Sequence, residues 1–410
     1  MKTRLIFSIL AVVTTLSAAA FDFKAGRASL SPYPQQVSMV EAPDSLTPIF
    51  INHVGRHGSR YPAGSLHTMM LKQALDKADS LKTITPLGKA LKKEVERVIS
   101  STNGRWGELD TIGEMEHRGI AGRMYRKFPQ LLDSAKVVAI SSYSPRSVMS
   151  MYSFTHQLSK MAKDIDISTE SGRKFNALMR NFDEDEQYKA FRADTAYTGA
   201  YNRFAAENIT PEPLQRVLGD NYPIDYNRFY DLALAEYYVI AGMNAMGLEC
   251  DASKYFTMEE FRRFWTVFNF RQYLLYSSSV VSTRPAEIAA PLLQNLISTA
   301  DSVVSGKLRI AAKLRFGHAE TLMPLMALMQ APGCYYTTYY FDTVADKWQD
   351  YAMFPMAANL QLVYFRAPSG EVYVRADYNE KPIRLLPGAK SDYVKWDDLR
   401  LHLLQLLPLM

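Results

Sequence analysis

Residues 54–62, which read VGRHGSRYP, bring together side chains that could handle a phosphoryl group. Arg56, His57 and Arg60 lie within five positions of one another. A guanidinium is a planar fork of N–H donors that can bind a phosphate in a bidentate manner. An imidazole between two such forks is a candidate nucleophile toward phosphorus. The segment therefore predicts an anion site that contains a nucleophilic histidine.

Two later segments carry chemistry that would complete this site. Arg146 follows the run SSYSP, and His318 and Glu320 lie in the run GHAE. Together the three motifs supply three arginines and two imidazoles, which would stabilise the charge on the equatorial oxygens of a phosphoryl group. Glu320 could protonate the leaving oxygen and then activate water. This scheme needs no metal or other cofactor, because the arginines supply the positive charge.

Each motif has a simpler explanation when it is considered alone. An Arg-His-Gly loop can hydrogen-bond its own backbone. A His-Ala-Glu tripeptide can begin a helix, whose first turn favours an acidic residue. The coincidence of three such motifs at three predicted strand ends favours a functional site.

Three apolar or β-branched runs precede the motifs and predict the strands that position them. They cover residues 48–54, 136–140 and 307–316. Helical apolar spacing between them predicts helices over 66–81, 89–100 and 110–128. Strands that alternate with helices are typical of an α/β fold with a parallel sheet. Loops after parallel strands meet at one edge, where open α/β folds bind ligands, so we expect the three motifs to converge there.

The pattern becomes mostly helical and rich in aromatic residues after residue 150. We expect residues 151–295 to form a helical cap, with its clearest helices over 232–247 and 257–276. The cap would be inserted into an α/β core made of residues 21–150 and 296–410.

The C-terminal third is expected to close the core. Strands are predicted over 334–341, 361–365 and 371–378, followed by a helix from Trp396. The tyrosines of the first of these segments are expected to pack on a sheet. His53, at the end of the first predicted strand, is expected to be a packed or capping residue.

Composition and charge limit the possible partners. The 410 residues are 48% hydrophobic and 22% charged, which is ordinary for a globular protein. The formal net charge of +5 comes without a long basic tract. This distribution argues against nucleic acid and fits a small anionic substrate. We expect the protein to be a monomer.

Residues 1–20 predict a cleavable signal peptide, and hence a periplasmic or secreted protein. They combine Lys2 and Arg4, an apolar core and three small residues at 18–20. The apolar stretch is too short to span a bilayer comfortably, so we expect no stable membrane span. Only Cys250 and Cys334 are present, and the sequence leaves their pairing open.

Residues 56–62, RHGSRYP, resemble the RHGxRxP signature of the histidine acid phosphatases, clade 2 of the histidine phosphatases. Most of that clade has His-Asp as its second motif. His-Ala-Glu at 318–320 instead resembles the bacterial members of the multiple inositol polyphosphate phosphatase subgroup, the HAE-type phytases. The resemblance covers about residues 48 to 385. It includes the segments 178–183, 316–325, 357–360 and 379–380.

The resemblance implies a phosphoglycerate-mutase-like α/β core with a helical insertion. It implies that His57 becomes phosphorylated, that His318 contacts the phosphate and that Glu320 donates the proton. The basic residues that it implies for substrate binding are Arg56, Arg60, Arg146 and, from the cap, Arg180.

The function implied is that of a secreted phosphomonoesterase acting on inositol hexakisphosphate and lower inositol phosphates. Two alternatives stay open, namely a broad acid phosphatase and a non-catalytic inositol-phosphate-binding protein. The chain departs from its animal relatives in two respects, since it cannot form several disulfides and has no acidic residue over 269–278. Their preference for particular ring positions is therefore not carried over.

Overall fold

A computed structural model describes residues 21–34, 43, 45–225 and 228–408. The predicted signal peptide, residues 1–20, lies outside the described residues and stays a prediction. Within the described part, no helix combines the length and the apolar character that a membrane crossing needs.

Eight strands of the described chain form one sheet. They are β1 Thr47–Arg56, β2 Lys136–Ser141, β3 Asp166–Ser171, β4 Ala312–Gly317, β5 Asn359–Arg366, β6 Val372–Tyr378, β7 Lys381–Ile383 and β8 Tyr393–Lys395. Their order is β3-β2-β4-β1-β5-β6-β7, and β8 also pairs with β6. Strands β3, β2, β4 and β1 run parallel, whereas β5 to β8 continue the sheet with antiparallel pairs. The predicted α/β class is confirmed, and the antiparallel strands extend its parallel half.

Strand β1 is apolar over most of its length because both of its faces are covered. Phe50 and Val54 point into one hydrophobic cluster, and Ile51 points into the other. All three side chains are fully buried. Near-continuous hydrophobic runs are typical of parallel strands between two layers of helices. Burying one such side chain contributes about 1.5–3 kcal/mol.

The α-helices of the described residues are α1 Leu66–Ser80, α2 Pro86–Thr102, α3 Thr111–Lys127, α4 Pro129–Leu132, α5 Pro145–Met161, α6 Asn176–Met179, α7 Asn181–Glu184, α8 Glu186–Ala193, α9 Thr195–Asn208, α10 Glu212–Leu218, α11 Phe229–Gly242, α12 Met258–Tyr276, α13 Arg284–Glu287, α14 Ala290–Val304, α15 Ala319–Leu328, α16 Val344–Lys347, α17 Asp350–Met353 and α18 Trp396–Gln405. Helices α3 and α5 cover one face of the sheet. Helices α14, α15 and α18 cover the other face, and the cluster there continues into the cap.

The segment 151–295 is mostly helical but also supplies one strand of the core sheet. Strand β3 pairs in parallel with β2 and forms an edge of the sheet. The sequence pattern, which is mostly helical here, did not predict this strand. A cap boundary after Ser171 fits the sheet better than one after residue 150, and the domain limits stay a prediction.

The strand predicted over 334–341 is wrong. After a turn that ends at Cys334, the chain has no regular secondary structure until the 3-10 helix Phe341–Thr343 begins. The carbonyl of Cys334 accepts from the indole of Trp348, and that of Tyr336 accepts from the hydroxyl of Tyr273. Side chains therefore use acceptors that a strand ladder would need. Tyr339 is 85% exposed, so the tyrosines of this segment do not share the sheet packing that we expected.

Cys250 and Cys334 are free thiols in this structure. Burial raises the pKa of Cys250 to about 11, which keeps that thiol protonated at neutral pH. Cys334 is fully buried beneath the cap.

Candidate active site

The sheet register brings the three motifs to one edge. Arg56, the last residue of β1, pairs with Gly317 at the end of β4. On the other side of β4, Phe316 pairs with Ser141 at the end of β2. The loops after β1, β2 and β4 therefore begin side by side, as the sequence predicts for parallel strands.

Close packing against helix α3 fixes the loop after β1. A Cβ on Gly58 would lie 2.6 Å from backbone atoms of Gly113, at the start of α3. The backbone N–H of Gly58 donates to the hydroxyl of Ser150 on α5, at 3.1 Å. The glycine is needed here because the two backbones approach too closely for a side chain. The His57 backbone is thereby held between two helices and the sheet.

The imidazole of His57 is buried and oriented by its own loop. Its Nδ1 lies 2.9 Å from the carbonyl oxygen of Gly58. A carbonyl only accepts hydrogen bonds, so we assign the ring proton to Nδ1, which leaves the lone pair on Nε2. Burial, and then the nearby charges of Arg146, Arg56 and Arg60, hold the pKa of His57 well below its usual range. The ring is therefore neutral at physiological pH, which is the form in which Nε2 could attack phosphorus.

Arg56 and Arg60 are held by backbone carbonyls rather than by carboxylates. Nη1 of Arg56 donates to the carbonyl oxygens of Ser29 and Phe354, at 2.6 and 2.7 Å. Nη1 of Arg60 donates to the carbonyl of Tyr61, at 2.9 Å. Burial lowers the pKa of Arg56 to about 10 and that of Arg60 to about 9. Bringing a negative charge to this site would relieve that electrostatic cost.

The arginine cluster also has unused donors. The Nε–H groups of Arg56, Arg60 and Arg146 are buried and find no acceptor on the described residues. None of these three guanidiniums forms an ion pair within the described part of the chain. A buried donor without an acceptor costs about 1–3 kcal/mol. The cluster is therefore suited to an oxyanion that accepts several hydrogen bonds.

His318 lies at the start of helix α15, between two guanidiniums. Nη2 of Arg146 is 3.3 Å from its Nδ1, and Nη1 of Arg180 is 3.1 Å from its Nε2. The hydroxyl of Ser142 is 2.9 Å from the same Nε2. Burial first, and then Arg146 and Arg180, hold the pKa of His318 well below its usual range. A neutral imidazole accepts at one nitrogen only, so one of the two guanidiniums is free to bind another acceptor.

Arg180 reaches this site from the junction between α6 and α7. Its Nε donates to Asp183 at 2.7 Å. Its guanidinium lies over the rings of Tyr143 and Phe182, at 5.0 and 4.9 Å from their centroids. The residue that the sequence placed in the cap is therefore beside the core cluster, positioned by an ion pair and two aromatic rings.

Glu320 lies in the first turn of α15 and is half-buried. Its carboxylate is near enough to Arg56, Arg60 and Arg146 to raise the pKa of each, against the larger lowering by burial. It lines a cavity of about 480 Å³ together with His57 and those arginines. Five of the seven residues that the sequence singled out thus line this cavity. The other two adjoin it, because His318 contacts Arg146 and Arg180 contacts His318.

The sequence reasoning missed Glu116, which anchors the loop from beneath. Its carboxylate accepts from the backbone N–H and the hydroxyl of Ser59, both at 2.7 Å, and from the backbone N–H of Tyr33 at 2.7 Å. The side chain is 2% exposed. Its position in the helix predicted over 110–128 carried no local signal of this role, because all of its hydrogen-bond partners come from other segments.

We expect Glu116→Gln to lower the free energy of unfolding by about 1–3 kcal/mol, measured by denaturant titration. Whichever way the amide is turned, its NH₂ group faces one of the two backbone N–H donors. Ser59→Ala is the matched control, since it removes only the hydroxyl bond and should cost about 1 kcal/mol. Equal costs for the two variants would contradict this account.

The stabilities of the wild type and of Glu116→Gln should also differ in their dependence on pH. Burial raises the pKa of Glu116 from 4.5 to about 7. The associated stabilisation is complete below pH 4.5 and is lost as the pH rises through about 7. The free energy of unfolding of the wild type should therefore fall relative to that of Glu116→Gln, whose amide does not titrate, between pH 5 and pH 8.

His53 is packed rather than part of the site, as expected. Its ring is 1% exposed and contacts the rings of Phe154 and Phe316. Burial, and then the neighbouring His117, lower its pKa to about 3. It supports β1 beneath the cluster as a neutral ring.

Comparison with known proteins gives consistent results. Multiple inositol polyphosphate phosphatase 1 of Gallus gallus is 24% identical over 375 residues, which cover 83% of this chain and 78% of the relative. The fold is similar to the crystal structure of Bifidobacterium longum multiple inositol polyphosphate phosphatase in complex with inositol hexasulfate. That similarity has a TM-score of 0.78 at 20% identity and covers 92% of this chain and 97% of the other. A phytase from D. castellii matches with a TM-score of 0.68 at 17% identity, over 96% and 88% of the two chains.

The family model described as histidine phosphatase superfamily (branch 2) matches residues 49–379. This span begins within β1, ends just after β6 and contains all three motifs and the whole cap. The predicted family is confirmed: the chain belongs to branch 2 of the histidine phosphatase superfamily and is a phosphatase.

Proposed function

We propose that the protein hydrolyses inositol hexakisphosphate and lower inositol polyphosphates through a phosphohistidine on His57. The observation that carries the mechanism is the hydrogen bond from Nδ1 of His57 to the Gly58 carbonyl. It fixes the tautomer in which Nε2 carries a lone pair beside a cluster of arginines. A buried neutral imidazole in that state can attack phosphorus without first losing a proton.

In the first step, Nε2 of His57 forms a bond to phosphorus as the bond to the ester oxygen breaks. Arg56, Arg60 and Arg146 stabilise the charge on the other phosphoryl oxygens. Glu320, in its protonated form, donates its proton to the leaving alkoxide. In the second step, the Glu320 carboxylate takes a proton from water, whose oxygen attacks phosphorus and releases phosphate from His57.

His318 and Arg180 are proposed to bind the phosphoryl group at the side of the cluster. Arg146 and Arg180 compete for one imidazole whose neutral form has a single acceptor nitrogen. A phosphate oxygen would give the second guanidinium a partner. Arg180 comes from the cap, so it is also placed to reach a neighbouring phosphate of the same substrate.

The substrate class rests on three supports. A relative named as a multiple inositol polyphosphate phosphatase aligns over most of this chain. A structurally similar bacterial protein of the same name was solved with inositol hexasulfate, a sulfate analogue of the fully phosphorylated ring. The cavity holds more basic than acidic side chains, which suits a polyanion. We further propose that the protein is a monomer and that it is periplasmic or secreted, the location being supported by the pattern of residues 1–20.

The test is to compare phosphate release from inositol hexakisphosphate and from an aryl phosphate by the purified protein. We expect kcat/KM to be larger for the inositol substrate. A larger value for the aryl ester would favour a broad acid phosphatase instead. Release no faster than that of His57→Ala would leave only a binding function.

A further inference from the structure

The cavity that contains His57 extends to a second wall formed by the cap and by helix α1. Arg271 and Gln272 of α12, Tyr238 and Asp231 of α11, and His67 of α1 all line it. The residues of α11 and α12 are far in sequence from the three motifs of the core, whereas His67 follows the first motif closely in the chain. The cavity is therefore shared by two sets of polar side chains, and the mechanism uses only one of them.

We propose that Arg271, with His67 beside it, forms a second anion subsite that binds a peripheral phosphate of the substrate. This inference rests on the proposed function, since it assigns a specificity residue for the same cavity. A ring that carries several phosphates presents others when one of them is at His57. A single-phosphate substrate would reach only the arginine cluster of the core.

The surroundings of Arg271 leave its charge available to a ligand. Against the lowering by burial, the phenol groups of Tyr238, Tyr276, Tyr197 and Tyr201 raise the pKa of Arg271 above its usual range. Within the described residues, its guanidinium has no ion pair and no hydrogen bond to a carboxylate. The carboxylates that line the cavity are Asp231 and Glu320, against the guanidiniums of Arg56, Arg60, Arg146 and Arg271. Half-burial among aromatic rings reduces solvent screening, so a phosphate should interact strongly there.

Two neighbours add to the subsite. The ring of His67 stacks on that of Tyr238, with centroids 4.5 Å apart, and is thereby held at the cavity wall. Burial and then Arg271 lower the pKa of His67, whereas Asp231 raises it. A bound phosphate would act in the same direction as Asp231 and favour a proton on the ring. Gln272 also lines the cavity, and its buried side-chain oxygen has no donor within the described residues.

Binding is measured first, in a catalytically inactive background. We expect His57→Ala/Arg271→Ala to bind inositol hexakisphosphate at least about 10-fold more weakly than His57→Ala, as expected for a charge-assisted bond. The affinity for inorganic phosphate, measured by titration calorimetry, should change by less than about twofold, because that ligand needs only the core cluster. Arg271→Lys should restore part of the affinity for the inositol ligand.

Arg262→Ala is the matched control. Arg262 lies on the same helix but is an exposed residue that pairs with Asp346 at 3.6 Å. It should leave the affinity for both ligands unchanged. Retained binding of inorganic phosphate also shows that the Arg271 variant is folded.

Kinetics provide the second arm. Arg271→Ala in the wild-type background should lower kcat/KM for inositol hexakisphosphate by about 10-fold and leave that for an aryl monophosphate nearly unchanged. Equal losses for both substrates, or no loss of inositol hexakisphosphate binding, would overturn the subsite. If the wild type does not hydrolyse inositol hexakisphosphate, the proposed function fails, whereas the calorimetry still decides whether Arg271 binds it.

Discussion

His57→Ala is expected to lower kcat by at least about 10⁴-fold for every phosphomonoester. In the proposed mechanism the imidazole supplies the attacking lone pair, and no other described side chain in the cavity is both buried and held with a free ring nitrogen beside the arginines. The arginine cluster would survive the substitution. Affinity for inorganic phosphate should therefore change far less than kcat.

Trapping the intermediate tests this directly. Rapid quenching of the wild type during turnover should capture protein-bound phosphate that is labile in acid and stable in base, as expected for a phosphohistidine. His57→Ala should capture none. His156→Ala is the control, because His156 is exposed on α5 away from the cluster. Undiminished labelling of His57→Ala would exclude His57 as the nucleophile.

Glu320→Gln is expected to separate substrates by their leaving groups. An inositol alkoxide is a poor leaving group and needs a proton, so kcat/KM for inositol hexakisphosphate should fall by about 10²–10⁴-fold. A nitrophenyl phosphate leaves without help, and its kcat/KM should fall by less than about 10-fold. The ratio kcat/KM is the right quantity, because it reports the steps up to the first irreversible one and excludes hydrolysis of the phosphoenzyme.

The second role of Glu320 predicts a further observable. If its carboxylate also activates water, Glu320→Gln should accumulate phosphoenzyme with the aryl substrate. A burst of nitrophenol, equal to the enzyme concentration, should then precede slow turnover. Equal falls in kcat/KM for the two substrates would argue against a general acid at this position. Glu320→Asp should recover part of the activity, since it keeps the carboxyl.

The core of the site could be predicted because its residues follow strands in the chain. Arg56 ends β1 and His57 follows it, Arg146 follows β2, and His318 follows β4. Parallel strands put their C-terminal ends at one edge, so sequence position implied proximity. Arg180 was placed beside the site only by resemblance, since no periodic pattern links the α6–α7 junction to the sheet.

Other features could not be predicted, because each depends on partners that are distant in sequence. Strand β3 is polar on its exposed side and became a strand only by pairing with β2. The segment 334–341 has strand-like composition, yet side chains of the cap and its neighbourhood use its carbonyls. Glu116 has the sequence pattern of an ordinary helical residue, and its role depends on hydrogen bonds donated by Ser59 and Tyr33.

The sequence by itself determined the chemistry available to this protein. It offered a candidate nucleophile, a set of arginines, a carboxyl group and the strands that carry them, because these are local properties of residue type and spacing. Tertiary structure decided the protonation of His57, the burial of unpaired guanidinium donors and the presence of Arg271 in the same cavity. Those properties depend on which atoms lie within a few ångströms, and only the packing of the cap on the core brings them together.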